Sequence, residues 1–135
     1  MLEDKLGVLS GRVTATRVLP SSDQARVETS AEVSGEIAGV QTNIVATYWA
    51  KVRPDGTLYG ECPEQGLVIT DDGAVGTYAA AGVGWFTEGG GSSFRGAIYL
   101  VNPPPKLAHL STTALVFEWD VAADQSATLA LWGWR

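Results

Sequence analysis

Arg95, Tyr99 and Glu118, within "FRGAIY" and "VFEWD", are the residues of this chain whose types and spacing come nearest to a chemical site. In extended segments, alternation puts Arg95 and Tyr99 on one face, opposite Phe94, Ile98 and Leu100, and sets Glu118 opposite Phe117 and Trp119. If the two segments pair across the turn at 103–108, Arg95 and Glu118 face each other. Turned inward, they would orient a polar group in an apolar cavity, and a desolvated Glu118 would exchange a proton. Turned outward, the same pair is a cross-strand ion pair worth at most about 1 kcal/mol. Alternation fixes which residues share a face, not which face is inside, so both placements stand. The ligand-binding candidates are therefore Arg95, Tyr99, Glu118, Tyr48 and Trp119, with Glu118 and Tyr99 as the candidate catalytic groups.

Other chemistry fails on inventory. His109 is the only histidine and Cys62 the only cysteine, so no multi-His or multi-Cys metal centre can be built from one chain. Asp71 and Asp72 precede Gly73, and the pair reads as a turn because the longer spaced loop of a calcium site is missing. No metal and no cofactor are expected. A hydrolytic triad would need His109 to meet Ser111 or Cys62 through tertiary structure. Cys62, beside Pro63, reads as a small packing residue. Gly82-Val83-Gly84 begins like a dinucleotide fingerprint, but Trp85-Phe86 continues a strand where a phosphate-binding helix would have to start.

The elements that must carry these residues are strands. From Arg26 to Ile37, Val27, Thr29, Ala31, Val33, Gly35 and Ile37 alternate with Arg26, Glu28, Ser30, Glu32, Ser34 and Glu36, the pattern of a half-buried strand. Pro54-Asp55-Gly56 and Asp71-Asp72-Gly73 supply Asp-Gly pairs for tight hairpins. Weaker turns at 20–23, 88–92, 102–105 and 123–125 divide the rest into eight strands, near 8–19, 25–38, 40–53, 57–70, 74–87, 93–102, 109–122 and 126–134. The fourth should be interrupted within "YGECPEQGL", because Pro63 donates no ladder hydrogen bond. The triple proline at 103–105 reads as a stiff connection. Short connections and no helix-length amphipathic segment predict an all-β protein: one domain over 1–135, an eight-stranded antiparallel up-and-down β-barrel that closes to remove its edges.

Bulk properties restrict the partners. The chain has 135 residues, nine Lys and Arg against fifteen Asp and Glu, and a formal charge of −6. Nucleic acid and anionic membrane surfaces attract positive charge, so neither is an expected partner. No apolar run approaches the ~20 residues of a spanning helix. The acidic start, MLEDKLGVLSG, and the single thiol suit the cytoplasm. Aromatics fall on both faces of several strands: Tyr48 and Trp49 point oppositely, whereas Trp132 and Trp134 share a face opposite Leu129 and Leu131. Two apolar faces predict a homo-oligomer, most simply a dimer.

The stretch "GTLYGECPEQGLVITDDGAVGTYAAAGVGWF", followed by "SSFRGAIYL" and "KLAHLSTTALVFEWDV", resembles small bacterial barrels of allene-oxide-cyclase-like architecture over roughly residues 53–122. Carrying the resemblance are Gly82, Gly84 and Phe86, then an Arg-Gly strand, then the "KLA-L" connection. It implies a barrel, in a group that includes cyclases, ligand-binding barrels and proteins with no assigned activity. No catalytic motif of the plant cyclases has a residue-by-residue counterpart here. The functional expectation is binding of a small hydrophobic or amphipathic molecule. The alternatives are a cyclase or isomerase acting on a flexible apolar substrate, and a structural homo-oligomer without a ligand.

Overall fold

Alternating apolar and polar residues need a sheet to bury one face, and eight segments of this chain form it. The computed structural model describes residues 2–135. In chain order it contains β1 (Leu2–Leu19), β2 (Arg26–Ile37), β3 (Val40–Val52), β4 (Leu58–Thr70), β5 (Val75–Phe86), β6 (Ser92–Asn102), β7 (Ala114–Val121) and β8 (Ser126–Trp134). Each strand pairs antiparallel with its sequence neighbour, and β1 also pairs with β8, which closes the barrel.

Period-two alternation decides what fills the interior. Ala31, Val33 and Ile37 of β2 are buried, whereas Glu28, Glu32 and Glu36 lie on the opposite, outer side. The same rule brings Leu9, Ile44, Val68, Tyr78, Ile98, Leu115, Phe117, Leu129 and Leu131 into one core. At the two Asp-Gly hairpins, Gly56 (φ +86°) and Gly73 (φ +84°) take the left-handed backbone that side chains disfavour. The Asp55 carboxylate accepts the Thr57 N–H (2.9 Å) and the Asp72 carboxylate accepts the Ala74 N–H (3.1 Å), locking both turns.

The interruption expected at Pro63 is a bulge. Pairing slips between Cys62 and Gly66 on the β5 side and between Ala46 and Trp49 on the β3 side. Pro63, Glu64 and Gln65 bow outward into solvent, with Glu64 at φ +56°. Gly66 then returns to the inner wall, where the Tyr78 ring lies flat against it. A Cβ at Gly66 would stand 2.1 Å from that ring.

Two boundaries differ from the sequence reading. β1 starts at Leu2 rather than near residue 8, because its first half pairs with β8 while its second half pairs with β2. Residues 109–113, expected to begin the seventh strand, do not belong to it: Pro105–Leu110 is a 3-10 helix and β7 starts at Ala114. Pro105 occupies the first helical turn, where no backbone donor is needed. At three residues per turn, Leu107 and Leu110 fall on one side and are buried, whereas Lys106 and His109 stay exposed.

That short helix makes the barrel's ends unlike. Leu107 and Leu110 sit over Ile37, Ile44, Val68, Leu100, Leu115 and Leu131 and leave only about 10 Å³ between them. Inner residues of this end, among them Thr42 and Thr70, are buried. At the opposite end, inner positions Val27, Thr29, Ala50 and Val52 keep partial contact with solvent.

Candidate functional site

Toward the open end the interior contains a cavity of about 70 Å³. Small residues create it: Ala31, Ala46, Ala80, Gly60 and Gly82 stand where larger inner side chains would meet across the axis. The aromatics Tyr48, Tyr78, Phe94, Phe117 and Trp119 surround them. Neighbouring strands fix this grouping, since Tyr48 belongs to β3, Phe94 to β6 and Trp119 to β7.

Two polar pairs interrupt the apolar lining. The Trp119 Nε1–H donates to the Tyr48 hydroxyl (3.0 Å), and the Tyr48 ring meets Trp119 and Phe94 edge-on, with centroids 6.2 and 6.1 Å away. Burial raises the Tyr48 pKa above the usual phenol value, partly offset by the bond from Trp119. Deeper in, the Tyr78 hydroxyl contacts the Cys62 thiol. Burial pushes both groups upward, Tyr78 strongly, so each is a neutral hydrogen-bonding group at physiological pH. Glu61 borders the cavity, but its carboxylate accepts the Tyr59 O–H (2.6 Å) on the outer side of β4.

The structure divides the sequence-derived site residues. Tyr48 and Trp119 are at the cavity. Arg95, Tyr99 and Glu118 are not: the inward placement considered for them is corrected to an outward one. Phe94, Ile98 and Phe117 occupy the inner face of β6 and β7, so period-two alternation turns Arg95, Tyr99 and Glu118 outside. Tyr99 is 56% exposed. Arg95 and Glu118 are register partners, 3.7 Å apart, and Arg95 makes a closer pair with Asp120 at 3.1 Å. Its guanidinium also stacks over Trp85 at 5.1 Å, and Ser93 Oγ donates to Asp120 at 2.6 Å. This network sits at the surface, where charge screening leaves each ion pair little energy. Glu118 and Tyr99 therefore have no route to a substrate inside the barrel.

His109 is exposed on the 3-10 helix while Cys62 faces the interior, so the two do not assemble. Sequence reasoning missed Tyr78 and the alanine and glycine lining. The available signal was the small-residue run "YAAAGVG" on one strand, whose members could be recognised as lining only once their inward parity was known.

The fold has close counterparts over nearly the whole chain. A conserved protein of unknown function from Rhodopseudomonas palustris matches with a TM-score of 0.79 at 14% identity, covering 98% of this chain and 97% of its own. A β-barrel-like protein from Acinetobacter baumannii matches with a TM-score of 0.77 at 17% identity, over 98% of this chain and 94% of its own. A protein of unknown function from Clostridium acetobutylicum gives 0.75 at 16% identity, over 100% and 99%. No protein-family profile and no curated protein matches the sequence. At these identities the likeness establishes a shared small β-barrel fold and nothing about activity.

Proposed function

We propose that the barrel binds a small hydrophobic or amphipathic molecule at its open end, with the apolar part inserted among Ala46, Ala80 and Phe117 and one polar atom near Tyr48. The observation that carries this reading is the asymmetry of the interior. One end is plugged by Leu107 and Leu110, and the other keeps a cavity lined by small residues beside a hydrogen-bonding pair. The cavity's 70 Å³ limits the deeply inserted part to a few heavy atoms, so the ligand is compact or leaves part of itself at the mouth. The resemblance to allene-oxide-cyclase-like barrels supports an interior site. Against a cyclase or isomerase stands the protonation state of the lining: Tyr48, Tyr78 and Cys62 are all pushed toward their neutral forms, which suits holding a ligand better than removing its proton.

Benzyl alcohol and a series of short n-alkanols test the proposal, with the Trp119 indole N–H followed by NMR. Saturable shifts of that resonance, lost in Ala80→Leu while the spectrum of the fold is kept, are expected. Unchanged Trp119 resonances with every probe, in a wild-type protein whose cavity is accessible to xenon, would overturn it.

A further inference from the structure

The outer surface of β5 to β8 carries a second apolar feature, which strand register makes contiguous. One row across the sheet runs Ala81, Ala97, Val116 and Trp132, each the register partner of the next. The adjacent row toward the plugged end contains Ala79 paired with Tyr99, and Ala114 paired with Trp134. Tyr99 and Trp134 are more than half exposed, and Val75 and Val101 at the margin are 54% and 50% exposed.

The next row toward the open end differs, because Val83 is followed by Arg95, Glu118 and Ala130. The boundary between apolar and charged rows is therefore sharp. The inner faces of these same strands turn Tyr78, Ile98, Phe117 and Leu131 toward the core. β5 has no charged residue from Val75 to Phe86, the composition of a strand covered on both sides, although its own barrel covers only one.

We infer that a second copy of this chain covers this face. Area and charge select that occupant. Two half-exposed aromatics with the surrounding valines and alanines present on the order of 500 Å² per copy, so two copies would bury about 1,000 Å², near the lower limit of a specific interface. Small central residues, Ala81 and Ala97, let two sheets approach closely while Tyr99, Trp132 and Trp134 flank them. The chain's net charge of −6 opposes self-association in most orientations, but the acidic row Glu28, Glu32 and Glu36 lies on β2, away from β5 to β8. Apposing these apolar rows brings together faces whose flanking charges are of opposite sign, Lys5 over the Trp132 ring at 5.2 Å on one side and Glu61 beside Ala81 on the other. A bilayer would demand an apolar belt around the whole barrel, which the outer glutamates of β2 interrupt.

Sedimentation velocity over about 1 to 100 μM, a range spanning moderate affinities, decides the matter. The wild type is expected to dimerise, Ala97→Arg to weaken dimerisation by roughly tenfold or more through a buried unpaired charge, and Ser34→Arg on β2 to leave it unchanged. Tyr99→Lys, at an exposed position that the fold tolerates, reads the same face should Ala97→Arg fail to fold. A wild-type monomer across the range overturns the inference, whether or not it floats with phosphatidylcholine vesicles. So does a dimer indifferent to the face variants, or one equally disrupted by Ser34→Arg.

Discussion

The plugged and open ends of the barrel are built from the same alternating strands yet differ in what their inner residues touch. At the plugged end, branched side chains such as Ile37, Val68 and Leu115 meet the leucines of the 3-10 helix, and almost no space remains. Toward the open end the corresponding places hold Ala31, Ala46, Gly60, Ala80 and Gly82, and a cavity persists despite five surrounding aromatics. The same backbone architecture thus gives a core at one end and a receptacle at the other. Side-chain volume and one six-residue 3-10 helix make the difference.

Removing the plug should have the largest effect. Leu107→Ala is expected to cost about 2 to 5 kcal/mol in urea unfolding, since Leu107 is fully buried and its loss leaves a cavity. Val52→Ala, at a partly exposed inner position of the open end, should cost about 1 kcal/mol or less, in proportion to its smaller burial. Equal losses at the two positions would erase the distinction between the ends.

Alkali should act through the interior between them. The folded pKa values of Cys62, Tyr48 and Tyr78 lie above their ordinary values of 9.0, 10.0 and 10.0, with burial the first cause in each case. A group whose folded pKa is raised contributes stability that is fully present below its unfolded pKa and lost as pH rises through the folded one. Stability should therefore be flat through neutral pH and fall from about pH 9 upward. Phenolate absorbance should lag for the buried Tyr78 and appear together with unfolding, with a smaller lag for the partly buried Tyr48. Full tyrosine titration in a protein with native near-ultraviolet dichroism would contradict the burial described for both rings.

Filling the cavity sharpens the comparison further. Ala80→Leu should change stability by less than about 1.5 kcal/mol in either direction, because space exists for the added carbons, whereas Val68→Phe at the plugged end should lose about 1 to 3 kcal/mol through overpacking. Thermal unfolding of the two variants, measured side by side, reads the difference. The smallest effect is expected outside: Arg95→Met should cost no more than about 1 kcal/mol in urea unfolding, as for other exposed ion pairs, and leave probe binding at Trp119 unchanged. A strong effect on binding would show that the outer network reaches the cavity.

Much of this was legible in particular residues. The alternation of 26–37 specified a strand, Asp55-Gly56 and Asp71-Asp72-Gly73 specified turns, and Pro63 between Gly60 and Gly66 specified an interruption of the fourth strand, a bulge or a short loop, because each rests on local backbone and side-chain chemistry. The pairing of Arg95 with Glu118 followed from strand order and turn position. The 3-10 helix escaped notice because three prolines and two leucines also suit an extended connection. Only burial of Leu107 and Leu110 against the barrel floor favours the helix.

What the sequence determined by itself was the number and antiparallel order of the strands, and the partition of each into two faces, since a period of two is a property of the backbone. Which face pointed inward was decided by the closed barrel as a whole. Arg95, Tyr99 and Glu118 share their outer position because Phe94, Ile98 and Phe117 pack better across the axis. Trp132 and Trp134 are outside because Leu129 and Leu131 fill the same interior. Tyr48 and Trp119, 71 residues apart, form their hydrogen bond only after the five strands from β3 to β7 have curved round the barrel. That contact depends on curvature and on the volumes of residues from many strands, quantities that no local stretch of sequence contains.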